Sequence, residues 1–434
     1  MADDATFTRR ELLRQGAALA AASALPLGAP RTLGAAAPRR EHRAGATHVA
    51  VVGAGCFGGW TALMLLRAGA RVTLLDAWGA GNSRSSSGDE SRVIRSMYNG
   101  DPLYTDLVTR AFSLWREEEG RWGRPVYRRT GALWMFEGDD DFARRSVPVM
   151  RERGIAVDEL TPAEAARRFP QIAFEGVRSV FHEPEGGYLL ARESCERVRE
   201  SVVAGGGEYR QLRVSPGAPA SGRMPALTLD DGTALDADMY VFACGPWLGS
   251  LFPDVVGNGI IATRQDVLYF GPPAGEHRYD EGSFPVWVNV GSRRMYGIPG
   301  NERRGFKVAD DSYGAEIDPS TLERTASPEA IRVARTTLRK RFPGLARAPL
   351  TETRVCQYEY SPEGDFLVDR HPECDNAWLI GGGSGHGFKM GPALGEYAAR
   401  VVLEGKATDP KFSYANFAAR RAALRPAGRR KAHS

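Results

Sequence analysis

The sequence predicts an α/β fold of two domains, one built on a parallel sheet and the other on a mixed sheet. Two observations carry this prediction. A strand, a glycine turn, a helix and a second strand follow one another near the N-terminus, and a strand, a glycine loop and a helix recur near the C-terminus. The chain has 434 residues, of which 42% are hydrophobic and 25% charged, so it is long enough for two hydrophobic cores.

The first of these units lies in the stretch THVAVVGAGCFGGWTALMLLRAGARVTLLDAW. VAVV predicts a buried parallel strand, and TALMLLRAG predicts a helix that ends at a glycine. Between them, Gly53 permits the tight turn, Gly55 lets the backbone approach a pyrophosphate, and Gly58 lets the helix pack against the strand. Asp76 closes the second strand, where an acid can hold ribose hydroxyls. Together these features predict a Rossmann-type dinucleotide-binding domain.

The middle of the chain alternates between helical and strand-like segments. Helices are predicted for DPLYTDLVTRAFSLWREEEG, TPAEAARRF with Thr161 as N-cap, ARESCERVRESVVAGG and SPEAIRVARTTLRKRF. Strands are predicted for GALWMF, DVLYF, VWVNV, RMYGIPG and FKVADD, and a hairpin is predicted around Asp231 and Gly232. The strand-rich part from about residue 260 to 350 is assigned to the second, mixed-sheet domain.

The second glycine unit is the loop GGGSGHGFK at residues 381–389, which contains Gly383, Gly385 and Gly387. A helix is predicted to begin near Pro392, because proline is favoured in the first turn of a helix. A glycine loop that leads into a helix presents backbone N–H groups and the positive end of the helix dipole. Two such loops in one chain indicate a single long ligand held at both ends. FAD fits this arrangement better than NAD, and an NAD-dependent enzyme remains as an alternative.

The N-terminal segment has the order of an export signal. Arg9 and Arg10 precede a short apolar stretch rich in alanine, which ends in the small residues before Pro38. The paired arginines are typical of the twin-arginine type, whose pathway carries folded proteins. We therefore predict a signal over residues 1–37, cleavage near Ala37, and a periplasmic or extracellular protein. The alternative is a disordered basic arm.

The charge pattern excludes some classes of partner. The formal net charge is +4, but acids slightly outnumber bases once the basic residues at the two termini are set aside. Nucleic-acid binding is therefore not predicted, and residues 419–434 are interpreted as a basic tail. The body has no apolar run long enough to cross a membrane, so no span is predicted in the mature chain. No metal site is predicted.

The five cysteines, Cys56, Cys195, Cys244, Cys356 and Cys374, are an odd number without a close pair, so a disulfide framework does not account for them. A buried cysteine is most often a small hydrophobic residue. Cys356 stands in a distinctive stretch, RVCQYEYSPEGDFLVDRHP, which raises the question of its role.

Several motifs together resemble those of the D-amino-acid-oxidase superfamily of flavoproteins, within it the branch of monomeric sarcosine oxidase and N-methyltryptophan oxidase. They are VVGAGCFGGW, SSSGDESRVIRSMY, FACGPW, GFK, VCQYEYSPEGDFLVDRHP and GGGSGHGFK, and the resemblance runs from about His48 to about Tyr414. It implies an FAD-binding domain formed by three separate segments and a substrate domain formed by two. The expected bounds are 46–127, 183–259 and 353–418 for the first domain, and 128–182 and 260–352 for the second.

The resemblance also implies roles for individual residues. Cys356 matches the cysteine that is bonded to the flavin, and Arg92 matches an arginine close to the flavin. Arg95 and Lys389 match the cations that bind the substrate carboxylate. Lys307 matches the lysine that activates dioxygen, and the pocket tyrosines are matched by Tyr296 and Tyr358. The alternatives are a packing role for Cys356, surface solvation for the cations and ordinary core positions for the tyrosines.

Two positions depart from the sarcosine oxidase pattern. Ser87 stands where that branch has a histidine in its flavin loop, and Asp311 stands where it has a pocket histidine. An acid in the pocket favours a substrate side chain that carries a cation or a hydroxyl, which makes sarcosine itself doubtful as the substrate.

The implied reaction is oxidation of a carbon–nitrogen bond in an amine that bears a carboxylate, with dioxygen as the electron acceptor and hydrogen peroxide as a product. A monomer is expected. Two alternatives remain open: a dehydrogenase that passes electrons to another carrier, and a flavin-binding protein without catalysis.

Overall fold

The computed structural model describes residues 45–423. The export signal predicted at residues 1–37 lies outside these residues. Within residues 45–423 the strands are, in chain order, β1 (His48–Val52), β2 (Arg71–Leu75), β3 (Ser91–Ile94), β4 (Tyr127–Arg128), β5 (Ala132–Phe136), β6 (Asp158–Leu160), β7 (Ser179–Glu183), β8 (Gly187–Leu190), β9 (Glu208–Arg210), β10 (Val214–Ser215), β11 (Leu227–Leu229), β12 (Ala234–Leu235), β13 (Met239–Phe242), β14 (Ile261–Phe270), β15 (Val286–Val290), β16 (Arg294–Ile298), β17 (Phe306–Asp310), β18 (Leu350–Tyr360), β19 (Leu367–Arg370) and β20 (Ala377–Gly381).

The α-helices within the same residues are α1 (Cys56–Arg67), α2 (Pro102–Trp122), α3 (Asp141–Glu152), α4 (Pro162–Arg168), α5 (Ala191–Ala204), α6 (Leu248–Leu251), α7 (Pro328–Arg341), α8 (Gly391–Glu404) and α9 (Tyr414–Ala422). Across this described part of the chain, every helix is too short or too polar to cross a membrane.

The first sheet has six strands in the order β19-β20-β13-β1-β2-β9. β1 pairs in parallel with β2 and with β13, and β20 pairs in parallel with β13, whereas β19 is antiparallel. All five residues of β1 are buried, as expected for a strand that is covered on both faces. α1 packs closely against α8, because a Cβ atom at Gly395 would lie 2.7 Å from the backbone of Trp60. The Rossmann-type α/β prediction is confirmed.

The second large sheet has eight strands in the order β18-β14-β17-β16-β15-β5-β7-β6. Its pairs are antiparallel except for β15 with β5, so this is the predicted mixed sheet. α7 packs against it through Leu338, which shares a hydrophobic cluster with Trp287 and Phe306. The predicted domain boundary at residue 353 falls inside β18. The reason is that β18 pairs along most of its length with β14, which places Cys356 in this sheet.

The local signals in the sequence correspond to real elements. Thr161 forms a full capping box with Glu164 at the start of α4, and the hairpin around Gly232 joins β11 to β12. The predicted start of the basic tail at residue 419 differs from the end of the last helix. Residues 419–422, assigned to the basic tail, complete α9, because Arg420 pairs with Asp365 (Nη1 to Oδ2, 2.5 Å) and so fixes the last turn.

Candidate active site

A cavity of about 560 Å³ lies between the two glycine loops. The first loop contributes Gly53 and Gly55 to its wall, and the second contributes Gly383, Gly385 and Gly387. These two loops are more than three hundred residues apart in the sequence, and the parallel sheet brings them together because β1 and β20 both pair with β13. One ligand can therefore contact both loops.

Two positions of the first loop require glycine. Gly53 has φ +106°, and a Cβ atom there would lie 2.3 Å from the carbonyl oxygen of Ala243. A Cβ atom at Gly58 would lie 1.9 Å from the carbonyl oxygen of Gly53. The tight turn and the close packing of helix on strand thus leave no room for a side chain.

The remaining glycine of the motif, Gly55, precedes the first residue of α1 and faces the cavity. The nearest atom to a Cβ placed there would be Oγ of Ser87, at 3.5 Å. This hydroxyl accepts a hydrogen bond from N of Cys56 (3.1 Å) and so satisfies one of the N–H groups at the start of the helix. Ser87 thereby lies beside the positive end of α1, where phosphate groups bind readily.

Asp76 lies at the cavity wall directly after β2. Its Oδ2 accepts a hydrogen bond from N of Ala54 (2.8 Å), and its Oδ1 accepts from N of Trp78 (2.8 Å) and of Gly79 (2.9 Å). Burial raises the pKa of Asp76, and the three backbone donors oppose that shift. The carboxyl group is thus fixed in orientation, and its remaining lone pairs can accept from ribose hydroxyls.

The second loop is closely packed on aromatic rings. Gly385 has φ +76°, and a Cβ atom there would lie 2.7 Å from the ring of Tyr358. A Cβ atom at Gly387 would lie 2.5 Å from the ring of Phe57 on α1. Glycine is therefore needed to let this backbone approach both the cavity and its own supporting side chains. The two loops and Asp76 fit a dinucleotide.

Cys356 lies beside Arg92, a residue of the cavity wall. Nη2 of Arg92 is 3.0 Å from Sγ of Cys356, and Cys356 is 6% exposed. Nη1 of the same guanidinium pairs with Oδ2 of Asp89 at 2.8 Å. The thiol of Cys356 therefore contacts a guanidinium that Asp89 holds in place.

Lys307 is 1% exposed and belongs to a buried ionic cluster. Its Nζ donates to Oδ2 of Asp89 (2.5 Å) and to the carbonyl oxygen of Ser91 (2.9 Å). Oδ1 of Asp89 accepts from the hydroxyl of Tyr269 (2.8 Å). Burial alone would raise the pKa of Asp89, but Lys307 and Arg92 lower it below its usual value, so the carboxylate is ionised. The sequence analysis missed Asp89, although it stands in the same SSSGDESRVIRSMY motif as Arg92.

The two cations expected to bind a carboxylate meet at Tyr98. The guanidinium of Arg95 lies 4.4 Å from the centre of the Tyr98 ring and 5.3 Å from that of Trp134. Nζ of Lys389 donates to the Tyr98 hydroxyl (3.0 Å) and to the carbonyl oxygen of His386 (2.8 Å). Within residues 45–423 neither cation pairs with a carboxylate. Burial lowers the pKa of Lys389, and Arg95 lowers it further.

Tyr296, Tyr358 and Asp311 form a third group, on and after the strands β16 to β18. The hydroxyl of Tyr358 donates to Oδ1 of Asp311 at 3.0 Å. Nζ of Lys307 lies 5.8 Å from the centre of the Tyr296 ring. Burial raises the pKa of Asp311, and Arg294 opposes that shift. The predicted site residues thus come together in one region, with an acidic group facing the tyrosines.

Comparison with known proteins identifies the family. The family model described as "DAO: FAD dependent oxidoreductase" matches residues 48–401. The chain belongs to this family of FAD-dependent oxidoreductases. It is 28% identical over 372 residues to monomeric sarcosine oxidase of Bacillus sp. (strain B-0618), covering 82% of this chain and 92% of the relative. It is 27% identical over 364 residues to N-methyl-L-tryptophan oxidase of Salmonella arizonae, covering 82% and 94%.

Solved structures share the fold of this oxidoreductase. L-proline dehydrogenase from P. horikoshii superposes with a TM-score of 0.76 at 21% identity, covering 88% of this chain and 99% of that one. Fructosamine oxidase from Aspergillus fumigatus superposes with a TM-score of 0.73 at 24% identity, covering 85% and 89%. Because the family is FAD-dependent, the alternative of an NAD-dependent enzyme no longer stands. The cavity between the glycine loops is the site whose residues fit FAD.

Proposed function

We propose that this oxidoreductase is an amine oxidase that acts on the carbon–nitrogen bond of an amino acid or N-alkyl amino acid. The amine loses two electrons and two protons and becomes an imine. Dioxygen takes up the two electrons and two protons and becomes hydrogen peroxide. Water then hydrolyses the imine. The single observation that carries the proposal is that Arg95 and Lys389 meet at Tyr98 and that neither forms a direct ion pair with a carboxylate of residues 45–423. The names of the relatives, sarcosine oxidase and N-methyl-L-tryptophan oxidase, support it.

The chain's own residues bind and orient the substrate. Arg95 presents a planar guanidinium that can hold a carboxylate through two hydrogen bonds, and Lys389 adds a second donor. A bound carboxylate also favours the charged form of Lys389, whose pKa burial has lowered. FAD, when bound, supplies a two-electron acceptor for the hydride that leaves the substrate carbon. No residue needs to remove a proton if the amine binds in its neutral form.

Asp311 narrows the class of substrate. It accepts a hydrogen bond from the hydroxyl of Tyr358, which lines the cavity, and it is a partly buried acid whose pKa is raised by burial. A buried carboxyl group gains stability from a cationic or hydroxyl-bearing partner. We therefore expect the preferred amino acid to carry such a group in its side chain or on its nitrogen.

A substrate screen tests this function. Dioxygen uptake and peroxide release are measured together for amino acids and N-alkyl amino acids with cationic, hydroxyl-bearing and apolar side chains. We expect both signals, in equal amounts, with the polar members of the set. Flavin reduction without dioxygen uptake would favour the dehydrogenase that uses another carrier. Absence of flavin reduction by every member would favour a binding protein without catalysis.

A covalent bond between Cys356 and FAD is the second part of the proposal. We expect the flavin to stay with the polypeptide after acid denaturation and gel electrophoresis, and to be released from a Cys356→Ala chain under the same conditions. The reason is that Sγ of Cys356 lies 3.0 Å from Nη2 of Arg92, and Arg92 lines the cavity whose residues fit FAD, so the thiol is next to that site.

The matched control for this prediction is Cys374→Ala. Cys374 is also buried, but it lies in the hydrophobic cluster that contains Phe252 and Leu379, whereas Cys356 contacts Arg92 of the cavity wall. The control chain should keep its flavin through denaturation. Recovery of all flavin in the supernatant of the unaltered protein would show that no tether exists.

Export by the twin-arginine pathway is the third part. Arg9 and Arg10 stand before an apolar segment in the order that this pathway uses, and a folded protein that already holds its cofactor is a suitable cargo. Cell fractionation of a chain with Arg9→Lys and Arg10→Lys tests it, since the variant should stay in the cytoplasm.

A further inference from the structure

Glu359 is a buried carboxyl group on β18 that the proposed reaction does not use. It lines the cavity between the glycine loops, and only 8% of the residue is exposed. Its Oε1 accepts a hydrogen bond from N of Gly383 (3.3 Å). Its Oε2 is buried and has no hydrogen-bond partner among residues 45–423. Because an unpartnered buried oxygen costs free energy, this atom requires a physical explanation.

The surroundings of Glu359 do not compensate a negative charge. A Cβ atom at Gly245 would lie 3.4 Å from Oε2, and one at Gly383 would lie 2.9 Å from Oε1, so each oxygen lies close to the backbone of a glycine. The titratable groups that face it from the neighbouring elements are the thiols of Cys56 and Cys244. Burial raises the pKa of both thiols, which keeps them uncharged. In the described chain, 45–423, no arginine or lysine pairs with Glu359.

These surroundings therefore stabilise the protonated form of Glu359 relative to an exposed glutamate. Burial raises its pKa to about 7, and the hydrogen bond from Gly383 opposes that shift. A protonated carboxyl group has one O–H donor, and Gly245 and Gly383, on either side of it, both line the cavity. Because Oε2 has no hydrogen-bond partner within residues 45–423, a ligand in the cavity can supply the acceptor for this donor.

We propose that Glu359 is an FAD-binding residue whose protonated carboxyl group donates a hydrogen bond from Oε2 to an acceptor atom of the cofactor. This proposal rests on the assignment of the cavity to FAD. It explains why an acid can stand in the wall of a site for an anionic dinucleotide: the neutral form binds the ligand, and the ionised form would repel its phosphates.

The proposal makes FAD affinity depend on pH. Bound FAD disfavours the ionised form and so raises the pKa of Glu359 above its value in the free protein. By linkage, affinity is full below the pKa of the free protein and falls as the pH rises through the pKa of the complex. Each unit by which FAD raises the pKa corresponds to about a tenfold loss of affinity at high pH.

Binding of FAD to the full-length Cys356→Ala chain tests the proposal, because FAD can bind to this chain only without a bond to Cys356. The dissociation constant is measured by quenching of FAD fluorescence at about pH 6 and about pH 8.5. We expect it to rise about tenfold between the two. Adding Glu359→Gln should remove the pH dependence, since the amide donates a hydrogen bond, keeps an acceptor for Gly383 and does not ionise. Adding Glu359→Leu should weaken binding at both pH values.

The matched control is Glu352→Gln, the same substitution on the same strand at a carboxylate that is paired with Arg354. It should leave the pH dependence intact. Equal dissociation constants at the two pH values, no saturable binding at either, or a pH dependence that persists with Glu359→Gln would overturn the proposal. Purification of the unaltered protein without any flavin would instead contradict the assignment of FAD to the cavity.

Discussion

Replacing Arg95 with methionine is expected to lower kcat/KM for a carboxylate-bearing amine by roughly 10- to 150-fold. A hydrogen bond to a charged group contributes about 1.5 to 3 kcal/mol, and both the charge and the paired donors are lost in this variant. The fold itself should tolerate the change, because the methionine side chain can pack on the rings of Tyr98 and Trp134, as the guanidinium does now. Steady-state dioxygen uptake gives the ratio of kcat/KM values.

The control for Arg95→Met is a second substrate, an amine that lacks the carboxylate, rather than a substitution at another residue. An amine without the carboxylate should be a poor substrate of the parent protein and should lose little further activity in the variant. Arg95→Lys keeps the charge without the planar guanidinium, so its kcat/KM for the carboxylate-bearing amine should lie between those of the parent protein and Arg95→Met. Equal losses for the amino acid and its decarboxylated analogue would mean that Arg95 does not bind the carboxylate.

The parts of the fold that follow from short-range rules were predictable from the sequence. Glycine at Gly53 is favoured by its positive φ of +106°, which belongs to one local turn, whereas its close contact with Ala243 arises only from the packing of distant strands. The N-cap at Thr161 and the turn at Gly232 are local in the same way. Such signals need only a few neighbouring residues, so propensity and pattern are sufficient to find them.

The site residues that were missed depend on partners far along the chain. Asp89 matters because it pairs with Lys307, 218 positions away, and Tyr98 matters because Lys389, 291 positions away, donates to it. Glu359 looks like an exposed charge in the alternating stretch QYEY, and only the approach of the second glycine loop makes it a buried one. Burial and pairing of this kind arise from the tertiary packing of strands, which no local pattern encodes.

Replacing Lys307 with methionine is expected to slow the return of electrons to dioxygen far more than the oxidation of the amine. The first electron that reaches dioxygen creates superoxide, and a fixed ammonium stabilises the charge that develops in that step. Removing one such group costs about 100- to 1,000-fold in rate where charge develops. Hydride loss from the amine needs no charge at this position, so it should stay within about tenfold of the parent rate, a barrier change of about 1.4 kcal/mol. Stopped-flow absorbance measures the two half-reactions separately.

The contacts of Asp89 make the Lys307→Met variant interpretable. Lys307→Met leaves Asp89 without its ammonium partner, but Nη1 of Arg92 (2.8 Å) and the hydroxyl of Tyr269 (2.8 Å) still contact that carboxylate, so it does not become an unpaired buried charge. Tyr269→Phe is the matched control, because it removes a hydrogen bond from the same carboxylate and keeps the ammonium. If Tyr269→Phe slowed reoxidation as much as Lys307→Met, the effect would come from the position of Asp89 rather than from the charge of Lys307. If reoxidation were unchanged in Lys307→Met, the lysine would have a structural role, and a dehydrogenase that uses another electron carrier would become the better assignment.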